Sequence, residues 1–153
     1  MPTFKNTQLT TDTGLLLIRI MLGVVFIFHG SQKLFGWFDG GGLAGMAGFL
    51  ESLNIPMPHV SAFLAAATEF FGGIVLILGN GTGLVSVPLA FAMFIASFVA
   101  HGGGFSAQTG GMEYALTLAV ISVALVLTGP GNFVTSRFVK SRSTSTTSAT
   151  SLA

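Results

Sequence analysis

"RIMLGVVFIFHGSQKLFGW", residues 19–37, reads as a membrane-spanning helix interrupted by three basic side chains, Arg19, His29 and Lys33. What answers those three groups decides the fold. At about 100° per residue, Arg19, Gly23, Phe26, Gly30 and Lys33 lie within about 40° of one another on a helix, with His29 about 80° away. His29 and Lys33 are also neighbours one turn apart. One broad face therefore carries the cations together with two glycines, and glycines let a second helix approach closely in lipid.

The rest of the chain points to the same solvent. Of 153 residues, 51% are hydrophobic and only 7% charged, with a mean hydropathy of +0.81. Soluble domains carry about 25% charged residues. The absence of cysteine excludes disulfides, thiolate metal sites and c-type haem attachment. A net charge of +1 gives no case for nucleic acid. No phosphate-binding loop, nucleophile elbow or H-E-x-x-H motif is present.

A spanning helix needs roughly 17–25 mostly apolar residues, and four segments qualify: Gly14 to Phe35, Val60 to Leu78, Leu84 to Ala100 and Glu113 to Thr128. "GNGTG" (79–83) predicts a tight turn, "HGGGFSAQTGG" (101–111) a flexible loop, and "GPG" (129–131) a helix stop. In the first outer connection, Leu43, Met46, Phe49, Leu50 and Leu53 share one helical face, and "IPMP" ends it. That predicts a short helix lying at the outer interface or capping the bundle. The fold expected is all-α, a four-transmembrane-helix bundle with one short interfacial helix. Residues 1–13 are read as an N-terminal segment, 14–130 as the membrane domain, and 131–153 as a tail whose "SRSTSTTSATS" (141–151) predicts disorder.

An even number of spans puts both termini on one side. Lys5, Arg137, Lys140 and Arg142 flank them, and the positive-inside rule makes that side cytoplasmic. Trp37 and Tyr114 fall at the opposite face, where amphipathic rings favour the headgroup region. The first apolar run is too long for a cleaved signal peptide, and "HGSQK" is no cleavage site, so the span is expected to stay.

Glu69 is the acid available to the cations. It sits in a stripe of small residues, Ala62, Ala65, Ala66, Gly72 and Gly73, that marks a helix contact. An ion left at the bilayer centre costs roughly 3 kcal/mol on insertion scales, so Glu69 is expected to be paired or protonated. Counting residues places its depth between Arg19 and His29, and either is a candidate partner. Nearer the outer face, Gln32, Lys33, His101 and Glu113 are expected to form a polar ring, with Lys33 answered by Glu113. Structural roles compete with these: Arg19 and Lys33 can snorkel, the histidines can serve as hydrogen-bonded packing residues, and Glu113 suits a helix start. No metal or haem site is expected.

"LLIRIMLGVVFIFHGSQKLFG" (16–36), "AATEFFGGIVLILG" (66–79) and "HGGGFSAQTGGMEYALTLAV" (101–120) together resemble the DoxX family of small bacterial membrane proteins. Arg19, Gly23, His29, Gly30 and Lys33 fall on the family's first-helix pattern, Glu69 on its second-helix acid, and Glu113 and Tyr114 on its fourth-helix start. The resemblance implies a multi-pass protein of the bacterial inner membrane. It also implies quinone or quinol chemistry, through the related DoxD subunit of thiosulfate:quinone oxidoreductase. On that basis Arg19, His29, Lys33, Glu69, His101 and Glu113 are candidate quinone-binding residues. A quinone needs an apolar slot, donors for its carbonyls and a proton-exchanging group. With no cysteine and no cofactor fingerprint, reduction would need a redox partner protein, and homo-oligomers are compatible. The competing expectation is a non-catalytic scaffold or small-solute carrier whose buried ions fix helix register or line a path. A closed, fully paired core without a cavity would favour the scaffold.

Overall fold

The computed structural model describes residues 4–136. The terminal tail, with Arg137, Lys140, Arg142 and the Ser/Thr-rich run, lies outside the described residues. Five α-helices account for most of the described chain, which contains no strand: α1 Phe4–Phe35, α2 Gly42–Ser52, α3 Pro58–Leu78, α4 Thr82–Ile95 and α5 Glu113–Thr128. Helix α4 runs on through a π-helical turn, Ala96–Ala100. By length and composition α1, α3 and the extended α4 are able to cross a membrane, and α5 is a shorter apolar helix.

The helix bounds follow the local chemistry. Helix α1 begins ten residues before the apolar run because nothing in "KNTQLTTDT" stops it. Thr11 and Thr13 tie their hydroxyls to the carbonyls of Thr7 and Leu9, which removes their competition for backbone elsewhere. Gly79, at φ +83°, ends α3 in the left-handed region and donates its N–H to Val75. Pro58 opens α3 where its missing N–H costs nothing. The loop after α4 is ordered, not loose: Gly111, Met112 and Glu113 donate backbone N–H groups to Ser106, Gly104 and Phe105.

Helix α1 packs mainly on α3, and α4 on α5, with a lighter contact between α3 and α4. Glycines set the first contact. A Cβ on Gly30 would lie 2.5 Å from the Phe70 nitrogen, and one on Gly73 would lie 2.6 Å from the Gly23 carbonyl oxygen. Both helix backbones therefore touch, as the shared glycine face predicted. Gly30→Ala must push the helices apart. It is expected to cost about 1–3 kcal/mol, read as a lower unfolding midpoint in detergent. The core between the helices is Leu22, Phe26, Leu76, Leu89, Met93, Leu118, Ala119 and Leu125. Large apolar side chains such as Phe71, Leu84 and Leu127 face outward, as expected of a surface in contact with lipid.

The expected amphipathic helix in the first connection is α2. Met46, Phe49, Leu50 and Leu53 do share a face, and that face roofs a cavity between α3 and α4. All four non-glycine residues with left-handed φ among the described residues flank this helix: Phe38 and Asp39 before it, Asn54 and Met57 after it. The chain thus bends sharply on both sides of α2 to lay it across the bundle end.

Candidate ligand cavity at the Lys33–Glu69 pair

Glu69 is buried to 2% exposure in the small-residue stripe of α3. Its partner is neither Arg19 nor His29. Lys33 Nζ stands 2.5 Å from Glu69 Oε1, in a charge-assisted hydrogen bond. Depth counting erred because it set the start of α3 level with the end of α1. The contacts of Gly30 with Phe70, and of Gly23 with Ile77, fix a different register. Helix α3 starts more than a turn beyond the end of α1, so Glu69 faces the last turn of α1. The pair is lopsided. Glu69 Oε2 is buried without a hydrogen-bond partner, whereas the Lys33 side chain remains 28% exposed.

Both residues floor an apolar cavity of about 450 Å³. Helix α3 contributes Ser61, Leu64, Ala65 and Thr68; α4 and its π turn contribute Pro88, Phe91, Ala92, Ile95, Ala96, Val99 and Ala100. The volume falls in the range of small-molecule sites, which are mostly apolar with a few convergent polar groups. Pro88 sits in the wall, where its missing N–H leaves one helix carbonyl short of a partner. The π turn widens the helix along the same wall, and such turns often mark functional positions.

The other expected site residues lie elsewhere. Arg19 is fully buried, and its guanidinium donates to the carbonyls of Pro130 and of Phe133, the latter at 2.7 Å. It packs over Gly79, where a Cβ would fall 2.7 Å from Nη1. Arg19 is thus a clasp for the segment after α5. His29 Nε2 lies 3.2 Å from the Tyr114 hydroxyl, tying α1 to α5. The expected polar ring does not form. Gln32 donates to the Phe38 carbonyl, His101 Nδ1 lies 3.0 Å from the Ala96 carbonyl, and Glu113 accepts from the Ala107 N–H. Each satisfies nearby loop or π-turn backbone that helix geometry leaves unpaired.

Two contributors escaped sequence reasoning. Asp12 accepts from the backbone and side chain of Asn132; its position two turns before Arg19, on the same face, was the available signal. Thr135 bonds the Leu78 carbonyl and Asn80, which also accepts from Ser136. These contacts cross from the end of α5 to the α3–α4 turn, and no local pattern reveals them.

Outward-facing apolar helices around a polar-floored cavity define a helical membrane protein with room for a lipophilic ligand. The DoxX family model matches residues 14–102, and the chain belongs to that family. It is 29% identical over 119 residues to "Putative oxidoreductase CatD" of Bacillus subtilis (strain 168), covering 77% of this chain and 81% of that protein. It is 28% identical over 123 residues to inner membrane protein YphA of Escherichia coli (strain K12), covering 76% and 84%. With inner membrane protein YqjF of the same strain the identity is 24% over 133 residues, covering 86% and 95%. No solved structure matches the chain.

Proposed function

We propose that the protein is a redox-associated inner-membrane subunit that takes a quinone or quinol into the cavity at Lys33 and Glu69. The observation that carries this reading is the cavity itself: an apolar slot of about 450 Å³ with a single polar floor. Lys33 Nζ is a donor for a carbonyl oxygen. Glu69 Oε2, buried and without a protein partner, is placed to hold or accept a proton. A bound quinone supplies the redox chemistry, taking up two electrons and two protons on reduction. The chain's own share is to bind the ring, orient one oxygen at Lys33, and exchange a proton at Glu69. Electrons come from a redox partner protein. Two of the six expected residues, Lys33 and Glu69, belong to this site. A scaffold would need neither an open slot nor a carboxylate oxygen left unpartnered.

In this reading α5 is the fourth span, both termini are cytoplasmic, and α2 lies at the outer face. The printed names of the two Escherichia coli relatives support an inner-membrane location, and the name of the Bacillus relative supports a redox role. The test is purification in mild detergent, followed by extraction and mass spectrometry. Stoichiometric quinone in the native protein, reduced at least tenfold in Glu69→Gln, is the expected result. Native protein that carries no quinone and takes none up from quinone-loaded micelles overturns the reading.

A further inference from the structure

A second hollow of about 340 Å³ adjoins the first toward the start of α2, lined by Gln32, Lys33, Gly40, Gly41, Gly42, Gly45, Met46 and Phe49. Lys33, Met46 and Phe49 line both spaces, whereas Glu69 lines only the apolar one. Lys33 therefore stands in the partition between an apolar chamber and a glycine-walled notch.

The notch differs in chemistry from the chamber. Left-handed φ values at Gly36, Phe38, Asp39 and Gly42 fold residues 36–42 back over the end of α1. The Gln32 carboxamide holds this fold through the Phe38 carbonyl. A Cβ on Gly40 would collide with the Gln32 backbone at 2.4 Å, so only glycine fits there. Much of the notch wall is consequently bare peptide backbone, beside a carboxamide and an ammonium. A water chain needs such polar partners; they make up a larger share of the notch wall than of the chamber's, where Leu, Ile, Phe and Ala dominate.

We propose that the notch is the aqueous port of the Lys33–Glu69 site. Water reaches the ammonium of Lys33 from the bundle end that carries α2, and protons pass between the buried pair and that water. Lys33 is the one ionisable residue that lines both the chamber and the port, and it separates the ligand's apolar path from the proton's polar one. The port serves the quinone site proposed above, but its test uses no quinone, so either can fail without the other.

The chain has no cysteine, so a single Met46→Cys thiol can be timed against a charged, membrane-impermeant methanethiosulfonate. The reagent is added to right-side-out and to inside-out vesicles. Rapid labelling from one side is expected. Adding Gly45→Leu should slow it at least tenfold by filling the notch, and Gly45→Ala should slow it less. Gly48→Leu is the control: Gly48 is on the same helix, lines neither space, and like Gly45 has no atom within 4 Å of an added Cβ. No labelling of Met46→Cys from either side overturns the port. So does equal slowing by Gly45→Leu and Gly48→Leu. Labelling that keeps its rate in both Gly45 variants, with all proteins eluting as one folded species, overturns it as well.

Discussion

Lys33→Met should destabilise the protein more than any other single change in the cavity. It leaves Glu69, 2% exposed, without its one hydrogen-bond partner. Breaking a buried pair by removing one member costs about 3–5 kcal/mol, because the remaining charge is stranded. In detergent this should lower the unfolding midpoint by roughly 6–20 °C. Glu69→Gln alone should cost less, since the exposed part of Lys33 keeps its ammonium in reach of water. The double variant Lys33→Met with Glu69→Gln should recover most of the loss, as neutral replacement of both members often does. The double-mutant cycle reads this directly. A loss in the double variant equal to the sum of the two single losses would mean that the pair carries no coupling, and that Lys33 matters only for packing.

Arg19→Met is expected to act at the opposite end of the bundle. It removes both donors to the Pro130 and Phe133 carbonyls, and hydrogen bonds to charged groups contribute about 1.5–3 kcal/mol each. The loss should loosen residues 129–136 from α1 and the α3–α4 turn. Limited proteolysis should therefore cut this segment at least tenfold faster, while the Lys33–Glu69 end keeps its resistance. Arg19→Lys should rescue little, because one ammonium cannot span two carbonyls three residues apart as the guanidinium fork does. Unchanged cleavage in Arg19→Met would show that Asp12 and Asn80 hold the segment unaided.

The helices were legible because their punctuation is strong. Gly79, Gly81 and Gly129 all adopt positive φ where the sequence predicts breaks, and the face carrying Gly23 and Gly30 packs on α3 as its spacing requires. The pairing of Glu69 was not legible. It depends on how far α3 slides along α1, and that offset is set by α2 and the bends at Phe38, Asp39, Asn54 and Met57, which no periodicity encodes. The outer ring failed for a related reason. The sequence leaves His101 and Glu113 open to the ring or to local structural roles, and the π turn and the loop at 104–112 supply backbone partners for both. Arg19, by sequence either a candidate partner of Glu69 or a snorkelling anchor, is fully buried and bonds elsewhere. Its acceptors are carbonyls after "GPG", and carbonyls leave no mark in a sequence.

Photolabelling with an azido-quinone, mapped by peptide mass spectrometry, tests the central claim most directly, because it reports where the ring sits. The account predicts adducts on cavity residues of α2, α3 and α4, such as Phe49, Leu64 and Phe91, competed by unmodified quinone and lost in the Lys33→Met, Glu69→Gln double variant. Adducts confined to outward-facing residues such as Leu84 and Leu127, unaffected by competitor or by the double variant, would contradict it.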